Sequence, residues 1–212
     1  MRLPLRAPIA WACLALGPAF AAGASAQSKA PNAIHKTPPG LGQYPYSDAD
    51  VEFMSGMIPH HAQAVVMAGW APTRGARQDV AVLCERIVVG QRDEIATMQQ
   101  WLRDRGRPVP DATSTRHKMK MNGMEHEMLM PGMMTDDEMA ALEKARGPEF
   151  DRLFLEGMIR HHQGAIDMVD ELFKSHGAAQ DELIYRFASD VYADQSTEIA
   201  RMQKMLVEKR NE

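Results

Sequence analysis

Met57-Ile58-Pro59-His60-His61-Ala62-Gln63-Ala64-Val65-Val66-Met67 returns later in the chain as Met158-Ile159-Arg160-His161-His162-Gln163-Gly164-Ala165-Ile166-Asp167-Met168. Both copies read Met-Ile-x-His-His-x-x-Ala-x-x-Met, and they are separated by 161 − 60 = 101 residues. The same offset aligns Asp50 with Asp151, Phe53 with Phe154 and Gly56 with Gly157, which marks an internal duplication. On a helix with Met57 at zero, His60 falls at about −60°, His61 at about +40°, Ala64 at about −20° and Met67 at about −80°. One arc then carries two imidazoles and two thioethers around a small residue. The bland alternative is a core stripe in which Met fills gaps and each His is satisfied by a hydrogen bond. Repetition of a doubled His flanked by Met favours a functional cluster over that stripe.

A second segment repeats as well. Gln91-x-x-Glu94-Ile95-Ala96-x-Met98-Gln99-x-x-Leu102 matches Gln195-x-x-Glu198-Ile199-Ala200-x-Met202-Gln203-x-x-Leu206 at an offset of 195 − 91 = 104. Each repeat is therefore a helical hairpin, the second with a loop three residues longer (104 − 101). Helices are expected over about 48–71, 77–105, 135–146, 149–176 and 179–209, from these signals: Ser47 as an N-cap, Pro72 and Gly106 as stops, a Thr135–Glu138 capping box, Pro148 in a first turn and Gly177 as a terminator. Pro59 inside the first helix predicts a kink beside the His pair, and Arg160 at the matching place makes that kink specific to one copy. No convincing strand pattern is present. The expected fold is all-α: an antiparallel four-helix bundle of two repeated hairpins, 47–107 and 135–212, which form one domain over 47–210.

The flanking segments have a different character. Residues 1–26 read as a secretory signal, with Arg2 and Arg6 ahead of an apolar run and Ala24-Ser25-Ala26 before Gln27. Residues 27–46 hold four prolines and two glycines and read as a leader without fixed structure, in which His35 is solvated. The linker 108–134 contains His117-Lys118-Met119-Lys120-Met121-Asn122-Gly123-Met124-Glu125-His126-Glu127-Met128-Leu129-Met130-Pro131-Gly132-Met133-Met134. It is dense in Met and His and broken by Gly and Pro, unlike a core segment.

Bulk properties narrow the function. The 212 residues carry 24 bases against 28 acids, with no basic patch, so nucleic acid is not an expected partner. No segment beyond the signal is apolar enough to span a bilayer, so a periplasmic or secreted location is expected. Of two cysteines, Cys13 lies in the signal, which leaves Cys84 without a disulfide partner; its repeat counterpart is Ala188, so core packing is the favoured reading. Seventeen methionines are well above ordinary usage.

Bundles build metal sites from inward side chains, and the di-iron type uses Glu-x-x-His. Here Met57-x-x-His60 and Met158-x-x-His161 stand in that place. A thioether is soft and neutral, so the pattern favours Cu(I) over Fe, Mn or Mg, with Cu(II) and Ag(I) as further candidates. Thioethers also suit an oxidising compartment, since they form no disulfide, although they oxidise to sulfoxide. The candidate copper ligands are Met57, His60, His61, Met67 and Met98 in one half, and Met158, His161, His162, Met168 and Met202 in the other. Glu94 and Glu198 are candidates to hold a ring N–H, with a solvated or helix-pairing acid as the alternative. Within a pair, one His can ligate while its neighbour faces another helix. The linker offers His117, Met119, Met121, Met124, His126, Met128, Met130, Met133 and Met134 as a looser set, or as an adaptable surface for a partner.

The duplicated His motif, the Glu-Ile-Ala-x-Met-Gln segments and the Met-Pro-Gly-Met-Met linker resemble domain of unknown function family 305 over residues 47–209. That ferritin-like family of exported proteins includes CopM-type copper-binding proteins. The resemblance implies periplasmic copper binding and copper tolerance, with ligands among the matching Met and His. The expected function is sequestration or hand-over of copper, without catalysis, with a copper-efflux or delivery protein as a further partner. Two other classes stand beside it: a redox enzyme oxidising Cu(I) in the bundle core, and a structural adaptor whose Met-rich loop binds a protein. No nucleophile triad or cofactor fingerprint supports the enzyme.

Overall fold

The computed structural model describes residues 32–40, 44–121 and 124–209. The proposed signal, residues 1–26, lies outside the described residues. Long helices dominate: α1 (Asp48–Gly69), α3 (Gln78–Asp104), α5 (Pro148–Lys174) and α6 (Glu182–Lys209), with short helices α2 (Ala71–Arg74) and α4 (Asp136–Lys144). Two small antiparallel pairs accompany them: β1 (Ile34–His35) with β2 (Tyr46–Ser47), and β3 (His117–Met121) with β4 (Met124–Met128).

The helix starts follow local chemistry. Ser47 and Asp50 form a reciprocal capping box at α1, and Thr135 and Glu138 do so at α4. Pro72 sits in the first turn of α2, where its missing N–H is harmless. α1 is a single helix through the buried Pro59.

α1 pairs with α3, α5 pairs with α6, and the two hairpins meet through α1 and α5. The first-turn acids of the repeats bind crosswise between them. Asp50 on α1 accepts from Ala179 N at 2.8 Å, in the α5–α6 connection. Asp151 on α5 accepts from Arg77 N at 3.3 Å, at the start of α3. Each carboxylate thus satisfies a backbone donor that the opposite hairpin leaves at its turn. Burial raises the Asp50 pKa, opposed by the N–H bonds from Ala179 and Ser47. At the same end as Asp50, Arg105 on the α3 terminus pairs with buried Asp181, which also caps α6.

Three expectations need correction. The described part of the leader is structured: Ile34–His35 pairs with Tyr46–Ser47, and Asn32 bonds His176 O and Ala49 N. His35 is not simply solvated, since its Nε2 lies 2.6 Å from Asp48 Oδ1 and its ring stacks on Tyr46 at 5.2 Å. The linker does contain strands, because Met, Lys, Glu and His alternate there with period two, the period of a strand. No helix of the described residues is long and apolar enough to cross a membrane.

Candidate metal centre

The duplicated motifs put four histidines at the contact between the hairpins, and all four are fully buried. α1 and α5 cross so that the His60 and His161 rings face each other, centroids 3.8 Å apart. His60 Nε2 lies 3.0 Å from Pro131 O, and His161 Nε2 lies 3.0 Å from His60 O. A carbonyl only accepts, so each Nε2 carries the hydrogen. The second histidine of each pair turns to its own hairpin. His162 Nε2 donates to Glu198 Oε2 at 2.7 Å. His61 Nε2 lies 2.8 Å from Glu94 Oε2, a close contact that is not aligned as a hydrogen bond.

The consequence lies on the other nitrogen. With Nε2 protonated, Nδ1 presents a lone pair. His60 Nδ1, His61 Nδ1, His161 Nδ1 and His162 Nδ1 are all buried and have no hydrogen-bond partner. One turn before the glutamates, buried Gln91 Oε1 and Gln195 Oε1 share that state. Unpaired buried polar atoms are costly, and six at repeat-matched positions are not a packing accident. Burial, then the neighbouring His61, pushes the His60 pKa down to about 3. Burial, then His60, holds His161 well below the usual imidazole range. Both rings stay neutral, the form that binds metal.

Among the described residues, no three His, Cys, Asp or Glu side chains converge as a metal centre. A metal here therefore needs thioethers, and these are present. Met57 and Met158 are fully buried one turn before His60 and His161. Met67, Met98, Met168 and Met202 are buried as well. The repeat alone places Met67 beside Met98 of its own hairpin; antiparallel packing of α1 on α5 carries it across. Met67 packs in the apolar cluster of Met158 and Met202, and Met168 in that of Met57 and Met98.

The end of the linker closes over this centre. Met130 to Met133 is a turn with Pro131 and Gly132 in the middle, and Gly132 has φ +75°, the type II requirement. Gly164 lets the turn sit on α5: a Cβ there would lie 2.0 Å from Pro131 O. At the matching place on α1, buried Gln63 donates to Met134 O at 2.9 Å and accepts from Met134 N at 2.7 Å. Met130 and Met168 pack over Gly56, whereas Met134 and Met67 pack over Gly157. Met133 and Met134 are thus core residues rather than a loose set. Sequence reasoning missed Gln63, Gly132 and Gly164. Part of their signal was available as a size mismatch, Gln63 against Gly164, inside the aligned motifs.

The remaining linker candidates lie in the β3–β4 hairpin. His117 is buried, Met119 half-buried, and Met124, His126 and Met128 exposed. Of Met121 only the strand pairing with Met124 is described. Cys84 is a buried free thiol, raised to about 12 by burial and the nearby Asp151, and is a core residue.

The chain is a helical protein of two repeated hairpins with a buried His quartet among methionines, and comparison with known proteins gives it a family. The profile of the domain of unknown function DUF305 matches residues 50–206, and the chain belongs to that family. A DUF305 protein from Streptomyces coelicolor, provisionally described as secreted, is 29% identical with a TM-score of 0.63. The alignment covers 76% of this chain and 93% of that one. CopM in its Cu(I)-bound form is 28% identical with a TM-score of 0.55, over 74% of this chain and 94% of CopM. CopM is also known in Cu(II)-bound, Ag-bound and apo forms, so metal binding is present in the family. The uncharacterized protein L153 of Acanthamoeba polyphaga mimivirus is 34% identical over 56 residues, 26% of this chain and 37% of that protein. The chain thus spans little over a third of that viral relative.

Proposed function

We propose that this chain is an exported copper-binding protein that sequesters Cu(I), or hands it on, through the His60–His61–His161–His162 cluster and its buried methionines. The two hairpins act as a ferritin-like four-helix bundle around that cluster. The single observation that supports this reading is the set of four buried Nδ1 atoms without partners, each on a ring whose Nε2 already faces an oxygen. Met57 and Met158 supply soft donors beside them, which favours Cu(I) over harder ions. Glu198 holds the tautomer of His162 through its hydrogen bond, Glu94 faces His61 Nε2 at the matching place, and both acids sharpen the donor strength of their rings. Binding rather than catalysis fits a site closed by the 130–134 turn, and CopM's copper-bound and silver-bound forms in the same family support the choice of metal.

Anaerobic competition of the purified protein against a chromogenic Cu(I) chelator tests it. The wild type is expected to outcompete the chelator, and the variant His60→Ala/His61→Ala/His161→Ala/His162→Ala to lose that ability. Unchanged copper retention in a folded quadruple variant overturns the assignment.

A further inference from the structure

The β3–β4 hairpin has a chemical division of its own that the buried cluster does not use. Its register pairs His117 with Met128, Met119 with His126, and Lys118 with Glu127. Side chains alternate faces along a strand, and directly paired residues share a face. His117, Met119, His126 and Met128 therefore line one face, two imidazoles and two thioethers in a two-by-two ladder. The other face carries the charges, with Lys118 Nζ 3.4 Å from Glu127 Oε1.

That division is not the pattern of a packed sheet. Every residue of β4 is exposed, so its methionines bury little and do not serve as core. Met124 is 62% exposed and Met128 43%. At the base of the ladder His117 is only 7% exposed, and its Nδ1 is buried without a hydrogen-bond partner. A buried, unpartnered imidazole nitrogen beside a cross-strand Met, followed by a Met–His pair, offers an N2S2 donor set. Paired Cβ atoms lie about 5 Å apart and diagonal neighbours about 7–8 Å, within reach of one ion for side chains of this length. All four donors are neutral or soft, which selects a d10 monovalent cation over Mg2+ or Ca2+.

We propose that this face of the hairpin is a second, surface site for one soft monovalent ion, Cu(I) or Ag(I), held by His117, Met119, His126 and Met128. The site shares its metal class with the buried cluster but none of its residues, so each stands without the other. Two residues beyond β4 the chain reaches Met130, which packs beside Met168 over Gly56, so the ladder lies on the covalent approach to the buried histidines.

The test uses the full-length protein with 13C-labelled Met ε-methyl groups, titrated with Ag(I), a redox-inert probe. The Met119 and Met128 methyl resonances are expected to shift within the first two equivalents. They are expected to shift equally in His60→Leu/His161→Leu, which removes the facing pair of the buried cluster. Met119→Leu/His126→Gln/Met128→Leu, a change confined to half-buried and exposed positions, is expected to bind one Ag(I) fewer with unchanged helical circular dichroism. Unmoved Met119 and Met128 methyls in the wild type overturn the proposal, as does a hairpin variant that binds as many ions as the wild type. The wild-type methyl spectrum decides the matter even if the buried-pair variant does not fold. Shifts at Met57 and Met158 without shifts at Met119 and Met128 uphold the buried cluster and overturn only the ladder.

Discussion

His161 Nε2 donates to the carbonyl of His60, its own repeat counterpart, at 3.0 Å, while the two rings face each other at 3.8 Å. This contact makes the duplication asymmetric at its centre. His60 cannot return the bond to His161 O and instead takes Pro131 O from the linker turn. One imidazole is held by the opposite helix and the other by the closing segment, so the site depends on both hairpins and on the linker.

Neutrality of these rings predicts a pH dependence in metal-free protein. His60 titrates at about 3 in the folded chain against 6.5 for an ordinary histidine, and His161 is lowered in the same direction. Between those values the unfolded chain binds more protons, so stability is full above about 6.5 and falls as pH drops toward the folded value. The slope is about 1.4 kcal/mol per pH unit for each ring. Urea unfolding at pH 7.5 and 5.5, in a chelating buffer, is expected to show that loss. Replacing His60 by Leu is expected to reduce the slope by about one ring's share.

Gly164 tests the seat of the linker turn. Ala is the better helix former by about 1 kcal/mol, yet its Cβ would meet Pro131 O at 2.0 Å and Pro131 C at 2.4 Å. Gly164→Ala is expected to destabilise by about 1–3 kcal/mol through overpacking and to expose 117–134 to limited proteolysis. Gly90→Ala on α3, where a Cβ meets nothing within 4 Å, is expected to stabilise by about 0.5–1 kcal/mol. Thermal unfolding of the two variants should shift in opposite directions.

Gln63 holds the same turn from the α1 side with two bonds to the Met134 backbone. Gln63→Leu keeps the volume but strands a buried N–H and C=O. The expected cost is about 1–3 kcal/mol in chemical denaturation, with faster amide exchange at Met134. A variant as stable as the wild type would show that water or a shifted turn replaces the bonds.

Under the proposed function, Glu94 and Glu198 tune metal affinity through His61 and His162. Glu94→Gln and Glu198→Gln each keep the shape and remove the charge facing the ring. Each is expected to weaken Cu(I) affinity about 10–100-fold while leaving the helical signal intact. Equal affinity in both would reduce them to solvated acids.

The sequence discloses the helices well because caps and breakers act locally: Ser47 with Asp50, Thr135 with Glu138, and Pro148 all open helices where expected. The repeat also makes the His quartet and the two glutamates legible, since equal offsets imply equal positions. What it hides is long-range. Nothing near Gln63 in the chain says that its amide bonds Met134, 71 residues away. The exchange of Met67 and Met168 between hairpins arises only once α1 and α5 pack antiparallel. The β3–β4 hairpin was written in the alternation of Met119, His126 and Met128 with charged neighbours, but methionine's weak strand preference masked it.

The most direct test of the account reads the histidine nitrogens themselves. Long-range 1H–15N correlation spectra of the metal-free protein, followed by one equivalent of Cu(I) without oxygen, report tautomer and ligation together. Nε2–H tautomers are expected for His60, His61, His161 and His162, with Nδ1 resonances that move on adding copper. Nδ1–H tautomers, or Nδ1 resonances that stay in place while copper binds, would contradict it.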